Sequence, residues 1–374
     1  MPTGSAAALP PMDHAARRDR LRAALSDGEG DVGPGCSVLL VTHPVDVRYL
    51  TGFSGSNGAV LVGADPAGDL LVTDARYRER IDELDVPNVE IARRVEAVVE
   101  QLGDVPLGVD VDHTTLAAAA RLERARGDRP LARTSGLVAA LRATKDAGEV
   151  ARLRSACAIT AATLAELVAE GLRPGAEERA VALAVERAFH DRGADGVAFP
   201  TIVASGINGA SPHHVAGERA LAEGDLVTID CGAEVDGYRA DMTRTLPVGD
   251  VSHVAARMRE VHAVVEAANA AGRDAARVGG DVAEVDRAAR AVVTDAGYGE
   301  AFVHPTGHGV GLDVHEAPLV HDRATGSLPP GTTFTVEPGI YLPGVGGVRI
   351  EDSLVVLADT VDVMTDLGRG LAPA

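Results

Sequence analysis

The sequence predicts a two-domain protein of the α+β class, and three observations support this prediction. Short apolar runs alternate with helical segments along residues 14–141. Two β-hairpins that carry paired acidic residues are expected at residues 226–245 and 333–356. A pair of helical segments precedes each hairpin, so the same order of elements occurs twice. At 374 residues, the chain is long enough for two hydrophobic cores.

The first domain is predicted over residues 13–143 as a small α/β domain. Its expected elements are helices at residues 14–25, 75–84, 116–125 and 137–141, strands at residues 38–41, 70–73 and 107–111, and a turn-rich link at residues 47–62 that leads into another strand. Residues 1–12 lack a basic segment followed by an apolar core, so they are predicted to be a disordered extension and not a secretory signal.

The second domain is predicted over residues 146–374. Apolar residues recur at helical spacing in four segments, at residues 149–170, 176–192, 251–272 and 282–296. A strand is expected at residues 199–206, between the second helix and the first hairpin. Two helices followed by a hairpin, twice over, predict a pseudo-two-fold domain with its metal site where two sheets meet.

The first hairpin places two aspartates on one face of a sheet. Asp230 closes an apolar strand, and the Asp236-Gly237 step further along is a strong turn signal. A turn centred between these two residues makes Asp230 and Asp241 diagonal neighbours, whereas a turn centred one residue earlier sets them directly opposite. Both registers keep the two carboxylates on the same face, because strand side chains alternate.

The second hairpin repeats this arrangement with two glutamates. Glu337 ends the strand expected at residues 333–337, and Glu351 lies in the strand expected at residues 348–356. A loop centred on Gly344 places the two glutamates opposite each other. Between the hairpins lies a loop rich in glycine and histidine, at residues 304–316.

Four carboxylates at strand centres would repel one another in a dry interior. The sequence does not offer a lysine or arginine for each of them, so a pair of divalent cations is the economical compensation. Four carboxylates and one imidazole form a hard, oxygen-rich ligand set that suits manganese, cobalt or zinc. Two such ions about 3.5–4 Å apart can share bridging carboxylates. An isolated acid would instead be interpreted as a solvated charge at a strand end.

Composition excludes several other classes of protein. The formal net charge of −20 argues against nucleic acid and anionic membranes as partners. No apolar run approaches the roughly 18 residues of a membrane-spanning helix. Three cysteines form a sparse, odd set without metal-type spacing, which favours a reducing cytoplasm.

Several segments carry a resemblance to a known family. They lie at residues 228–232 (Thr-Ile-Asp-Cys-Gly), 240–244 (Ala-Asp-Met-Thr-Arg), 306–311 (Thr-Gly-His-Gly-Val-Gly), 336–341 (Val-Glu-Pro-Gly-Ile-Tyr) and 348–352 (Val-Arg-Ile-Glu-Asp). Together they resemble the pita-bread metallopeptidase family, which includes aminopeptidase P, prolidase and methionine aminopeptidase. Residues 47–53 (Val-Arg-Tyr-Leu-Thr-Gly-Phe) are similar to the small domain that precedes the catalytic domain in creatinase, prolidase and aminopeptidase P.

The resemblance implies roles for individual residues. The implied metal ligands are Asp230, Asp241, His308, Glu337 and Glu351. His213, His304 and His315 are similar to histidines that contact the substrate and the tetrahedral intermediate, and Glu337 would also shuttle the proton. Tyr341 and Arg349 match positions that form the pocket for the residue after the cleaved bond. In the family, residues of one subunit's first domain can approach the partner's active site, so Asp46 stays a candidate there, although ordinary surface or turn chemistry is the favoured interpretation.

The resemblance also implies an activity. We expect a pita-bread catalytic domain that uses two divalent ions, with manganese expected first, to hydrolyse peptides with proline at the second position, and we expect a homodimer. Two alternatives stay open. One is hydrolysis of a small amide metabolite on the same fold, as in creatinase- or ectoine hydrolase-like enzymes. The other is a non-catalytic pita-bread module that binds proteins.

Overall fold

A computed structural model describes residues 9–27 and 36–371 of the chain. Residues 1–8 of the predicted extension lie outside the described residues. The chain divides into two compact units, one spanning Pro11–Arg142 and one that begins at Ala143 and also includes Pro10. Among the described residues, no helix combines the length and apolar character needed to cross a membrane.

The unit Pro11–Arg142 is built on a six-stranded sheet. Its elements are α1 (His14–Asp27), β1 (Val38–Val41), α2 (Pro44–Thr51), β2 (Gly58–Gly63), β3 (Leu70–Thr73), β4 (Asn88–Ile91), α3 (Val95–Gln101), β5 (Leu107–Asp110), α4 (Leu116–Arg126), β6 (Leu131–Thr134) and α5 (Leu137–Arg142), with 3₁₀ segments at Pro66–Gly68 and Ala75–Glu83. The strand order is β4-β3-β2-β1-β5-β6, and only β2 runs antiparallel to its neighbours. Leucine and valine side chains of the sheet form a core with α3 and α4.

Two local predictions in this unit are corrected. The turn-rich link predicted from residue 47 is wrong at its start, because α2 occupies Pro44–Thr51. Pro44 supplies a preset φ for the first turn, and Tyr49 and Leu50 bury one face of the helix. The helix ends at Gly52, whose φ of 77° few other residues adopt. The helix predicted at residues 75–84 forms, but as a 3₁₀ segment.

The second unit contains two helix pairs, each followed by strands. Its elements are α6 (Ala147–Glu170), α7 (Glu178–Asp191), β7 (Gly196–Val197), β8 (Ile202–Ser205), β9 (Leu226–Cys231), β10 (Ala233–Val235), β11 (Tyr238–Arg239), β12 (Met242–Pro247), α8 (Ala256–Ala275), α9 (Val282–Asp295), β13 (Gly307–Gly309), β14 (Glu316–Val320), β15 (Thr333–Val336), β16 (Gly339–Leu342), β17 (Gly346–Arg349), β18 (Asp352–Val356) and β19 (Val361–Val363). The predicted repeat of helix pair and strands is confirmed. The third helix begins at Ala256 and not at residue 251, after a 3₁₀ turn at Val251–His253.

Helix α6 begins with a reciprocal cap. The Asp146 side chain accepts from the backbone N–H of Glu149, and the Glu149 side chain accepts from the backbone N–H of Asp146. Each residue therefore satisfies an N–H group that the helix itself leaves unpaired. This cap explains why the polar segment before α6 starts a helix.

The register of the first hairpin is the diagonal one. Asp236 and Gly237 have φ values of 46° and 76°, as a two-residue type I′ turn requires. Asp230 consequently pairs with Thr243, two residues beyond Asp241. The two aspartates therefore lie on one face as diagonal neighbours.

The second hairpin follows its predicted register. Val336 lies opposite Asp352, so the next position along the hairpin places Glu337 opposite Glu351. The strand predicted at residues 348–356 is interrupted after Arg349, and its two parts are β17 and β18. The interruption leaves Glu351 between two strands.

Each helix pair and the hairpin that follows it form one half of this unit. The two halves are joined by hydrogen bonds between their hairpins. The Thr245 hydroxyl donates to the carbonyl of Arg349 over 2.8 Å. The N–H of Glu351 donates to the carbonyl of Thr243 over 3.1 Å. These contacts bring β12 of the first half against β17 and β18 of the second, with all four acidic residues at the junction.

A buried arginine stabilises the same junction. Arg244 is 1% exposed and donates to Asp352 over 2.9 Å, and it also donates to the carbonyls of Thr243 and Glu351. The Asp352 carboxylate also accepts from Arg369 over 2.6 Å. Because all these groups are removed from water, losing the arginine would leave a buried carboxylate and carbonyls with fewer donors.

We predict that Arg244→Met lowers the free energy of unfolding by about 3–5 kcal/mol, as expected when one partner of a buried ion pair is removed. Thermal unfolding of the metal-free protein would measure the loss. The exposed Arg323 provides a matched control, and Arg323→Met is expected to unfold like the wild type. An unchanged unfolding temperature for Arg244→Met would contradict the assigned role.

Candidate metal centre

Five side chains from both halves of the second unit converge at the junction of the hairpins. Asp230 lies in β9, Asp241 immediately precedes β12, and His308 lies in β13. Glu337 follows β15, and Glu351 lies between β17 and β18. The convergence arises because each residue occupies a strand or a strand end at the contact between the two hairpins.

His308 lies in a strand, although the sequence analysis placed it in a loop. β13 pairs with β14 on one side and with β15 on the other. A Cβ atom at Gly307 would lie only 1.9 Å from the Thr335 carbonyl oxygen, so the strand can approach β15 only with glycine there. The glycine-rich composition at this position reflects close strand packing, and the loop prediction was wrong for residues 307–309.

The ligand atoms lie within reach of one another. His308 Nε2 is 3.1 Å from Glu337 Oε1 and 3.7 Å from Asp241 Oδ2. The ligand atoms of Asp241, His308 and Glu351 all lie within 4.8 Å of one another. These three residues are 5%, 8% and 1% exposed, so water screens their charges poorly.

Some of the carboxylate oxygens have protein partners. Arg349 Nη2 donates to Asp230 Oδ2 over 2.6 Å, and the Thr243 hydroxyl donates to Glu351 Oε2 over 2.8 Å. Among the described residues, Asp230 Oδ1 and Glu351 Oε1 are buried without any hydrogen-bond donor. A buried carboxylate oxygen without a partner is costly, and a bound cation would satisfy both.

The electrostatics of the cluster indicate missing positive charge. Burial and the neighbouring carboxylates raise the pKa values of Asp241 and Glu351 well above the usual range. Burial would also raise the pKa of Glu337, but the hydrogen bond and charge of His308 lower it to about 2. Conversely, burial would lower the pKa of His308, but Glu337 and Glu351 raise it to about 9. Bound protons thus offset the negative charge of the cluster, and divalent cations would offset the same charge. The carboxylate and imidazole groups present here fit such ions.

The ring of His308 is oriented for coordination. Its Nδ1 donates to the Gly309 carbonyl over 3.1 Å, which turns Nε2 toward the acids. A backbone acceptor of this kind fixes the tautomer and the ring plane of a metal-binding histidine.

A chain of hydrogen bonds leads from the acids to a second histidine. Arg349 is 4% exposed and also donates through Nη1 to the Tyr341 hydroxyl over 2.9 Å. That hydroxyl lies 2.9 Å from His304 Nε2, and His304 Nδ1 donates to the Pro305 carbonyl over 2.8 Å. Burial lowers the pKa of His304. We conclude that His304 is neutral and accepts a hydrogen bond from Tyr341.

Two other histidines that the sequence analysis singled out lie in different surroundings. His315 is exposed, and its ring packs edge-to-face on His308, with 4.3 Å between ring centroids. Partial removal of its ring from water lowers the pKa of His315, and the charge on His308 adds to that shift. His213 itself is exposed. Its neighbour His214 turns inward and binds Glu178, a buried acid that the sequence analysis did not single out.

A second group of possible ligands lies in the unit Pro11–Arg142 and fits a metal poorly. The rings of His43 and His113 are stacked 3.8 Å apart and 4° from parallel, so the lone pairs in their ring planes cannot converge on one ion. Asp46, the third member, is 1% exposed and accepts from Arg142 over 2.7 Å. Asp46 therefore stabilises its own unit through an ion pair.

The chain resembles known proteins along most of its length. The model of metallopeptidase family M24 matches residues 151–358, and that of the creatinase/prolidase N-terminal domain matches residues 17–144. An Xaa-Pro dipeptidase of Pyrococcus furiosus is 31% identical over 89% of this chain and 94% of that protein.

Solved structures give the same result. An Xaa-Pro dipeptidase from Bacillus anthracis matches with a TM-score of 0.89 and 34% identity, over 96% of this chain and 99% of that one. An X-Pro aminopeptidase from Thermotoga maritima matches with a TM-score of 0.82 and 32% identity, over 90% of this chain and 97% of that one. The predicted pita-bread fold with a preceding α/β domain is confirmed, and the chain belongs to metallopeptidase family M24.

Proposed function

We propose that this protein is a dinuclear metal-dependent exopeptidase that hydrolyses the bond between an N-terminal residue and a following proline. The observation that carries this proposal is the convergence of four acids and His308 around two buried carboxylate oxygens that have no donor among the described residues. The relatives described above are named Xaa-Pro dipeptidases and an X-Pro aminopeptidase, which favours proline as the residue after the cleaved bond.

The proposed metal ligands are Asp230, Asp241, His308, Glu337 and Glu351. Carboxylate and imidazole ligands without a thiolate favour manganese, with cobalt and zinc as alternatives. Cys231 lies beside Asp230 but is fully buried, and burial raises its pKa well above the usual range. A thiol held protonated in this way does not compete as a ligand.

Glu337 is proposed to handle the proton. When bound, the divalent ions supply Lewis acidity and lower the pKa of water. Glu337 is charged and lies 3.1 Å from His308, at the edge of the acid cluster. A carboxylate there can take the proton from the attacking water and deliver it to the leaving nitrogen.

Two of the three histidines are proposed to stabilise negative charge that develops on the scissile carbonyl oxygen, because both ring nitrogens of His304 are already hydrogen-bonded, to Pro305 and to Tyr341. His213 and His315 are both exposed, and His315 lies beside His308, so both can offer an N–H group to the substrate. His304 is proposed to act together with Tyr341, to which it is hydrogen-bonded. Tyr341 and Arg349 are also proposed to shape the pocket for proline, with Arg349 acting through Tyr341 and Asp230 because its donors are used there.

Three further expectations belong to this proposal. We propose that the chain forms a homodimer, as the family resemblance implies, and works in the cytoplasm. Residues 13–143 and 146–374 are proposed as its two domains, with residues 1–12 as an extension.

We predict that the purified protein with added manganese cleaves Xaa-Pro dipeptides or Xaa-Pro-Yaa tripeptides and spares Met-Ala-type controls. Chromatographic detection of the released N-terminal residue would measure the cleavage. Hydrolysis of the controls alone would contradict the assignment of proline. Failure to cleave any peptide or to retain manganese would instead favour the non-catalytic binding module.

We predict that Asp241→Asn lowers turnover of Xaa-Pro peptides at least about 100-fold while the protein stays folded, because a ligand is lost and a source of repulsion is removed. Activity and thermal unfolding would be measured on the same preparation. Asp322→Asn alters an exposed aspartate and serves as the control. Full turnover by Asp241→Asn would contradict the metal assignment.

We predict that the stabilising contribution of the acid cluster in the metal-free protein falls as the pH rises from about 5 to about 9. Folding takes up protons in this pH range, because the folded state raises the pKa values of Asp241, Glu351 and His308. The stability that these bound protons provide is lost as the pH rises through the raised pKa values. The lowered pKa of Glu337 gives an opposite effect only at more acidic pH. Denaturant titrations at several pH values would measure the free energy of unfolding. This free energy should fall more steeply with rising pH for wild type than for Asp241→Asn, and saturating manganese should make the wild-type value nearly independent of pH. Equal slopes for the two metal-free proteins would contradict the cluster electrostatics.

A further inference from the structure

Glu178 is a buried carboxylate that the proposed chemistry does not use. It is the first residue of α7, and it is 0% exposed. Burial would raise its pKa, but the hydrogen bonds that it accepts lower the pKa to about 2. The side chain is therefore an anion held inside the protein, and only its partners can explain that placement.

All of those partners lie in one segment, residues 205–217. Oε1 accepts from the Ser205 N–H over 2.8 Å, the Ser205 hydroxyl over 2.6 Å and the Asn208 amide over 3.0 Å. Oε2 accepts from His214 Nε2 over 2.8 Å and from the Gly217 N–H over 3.3 Å. One carboxylate thus binds the segment near its beginning and near its end.

His213 lies between two residues of that segment that are held in place. On one side, the Pro212 carbonyl accepts from Arg349 Nη1 over 3.3 Å, and the same guanidinium binds Asp230. On the other side, His214 is bound to Glu178. The backbone of His213 is therefore tied both to the acid cluster and to α7, while its ring remains exposed.

The second half of the unit contains a corresponding arrangement. Asp286 of α9 is 0% exposed and accepts from the Thr306 N–H over 3.1 Å and from the Thr306 hydroxyl over 2.8 Å. Arg290, which binds Asp286, also donates to the His304 carbonyl over 2.9 Å. In both halves, a buried acid on the second helix of the pair holds a segment that carries a histidine.

We propose that Glu178 is a positioning residue that fixes His213 at the active site through His214 and the two ends of segment 205–217. The inference rests on the proposed function, because it concerns how a substrate-contacting histidine is held. A misplacement of about 1 Å can lower the rate about 100-fold, and the five hydrogen bonds to this buried anion hold the segment against such a shift.

The test compares Glu178→Gln with Glu177→Gln, an adjacent residue whose side chain is 41% exposed. The amide keeps the shape of the carboxylate but presents an N–H₂ group to His214 and Gly217. With a cleaved Xaa-Pro peptide and manganese, we expect Glu178→Gln to lower kcat about 10- to 100-fold with a smaller change in KM. Glu177→Gln is expected to behave as wild type, with equal manganese content in all three proteins.

A double-mutant cycle separates positioning from general loosening of the fold. In a His213→Ala background, Glu178→Gln should cause little further loss, since the residue that it positions is gone. Additive losses would overturn the proposal. A second pair, His214→Leu and His214→Gln, covers the case in which Glu178→Gln does not fold. The glutamine can still donate to Glu178, so it should retain more activity than the leucine, and equal activities would overturn the proposal.

Hydrogen exchange gives a readout that does not depend on catalysis. In the metal-free protein, amides of residues 206–217 should exchange faster in Glu178→Gln, or in His214→Leu, than in wild type, whereas the helices should be unchanged. Unchanged exchange in this segment would overturn the proposal. If the wild type cleaves no peptide, the proposed function fails separately, and the exchange data still decide whether Glu178 holds the segment.

Discussion

Electrostatic repulsion among four carboxylates is the constraint on which the catalytic unit depends. Asp230, Asp241, Glu337 and Glu351 meet in an interior where, among the described residues, the basic side chains in direct contact with their carboxylates are Arg349 and His308. Two of the acids have strongly raised pKa values, and two of the oxygens lack a donor among the described residues. A fold that gathers acids in this way is stable only if protons or cations neutralise them, so the same repulsion creates both the cost of the site and its affinity for metal ions.

The architecture satisfies this constraint by bringing two hairpins together. Hydrogen bonds from Thr245 and Glu351 join them, and Arg244 is buried beneath the junction. Because strand side chains alternate, sliding one strand of either hairpin by a single residue past its partner would turn the acid on that strand away from the site. Register, and not the chemistry of single residues, therefore determines whether the ligands meet.

The histidines around the acids are held by other buried groups. Glu178 and Asp286 each lie on the second helix of a helix pair, and each binds a segment that carries a histidine. Lys145 and Glu316 form a further buried ion pair beside His315, over 3.4 Å. Rigid anchors of this kind reduce the reorganisation that a site needs when it binds a substrate.

The sequence by itself determined the two helix pairs, the carboxylate hairpin that follows each pair and the face that each acid occupies, since helical spacing, side-chain alternation and turn chemistry are local properties. It left two registers open for Asp230 and Asp241, and the positive φ angles of Asp236 and Gly237 decided between them. Only the tertiary structure decided that Arg349 binds Asp230, 119 residues away, and that His214 turns inward to Glu178. Such contacts depend on how distant elements pack, and a local pattern does not contain that information.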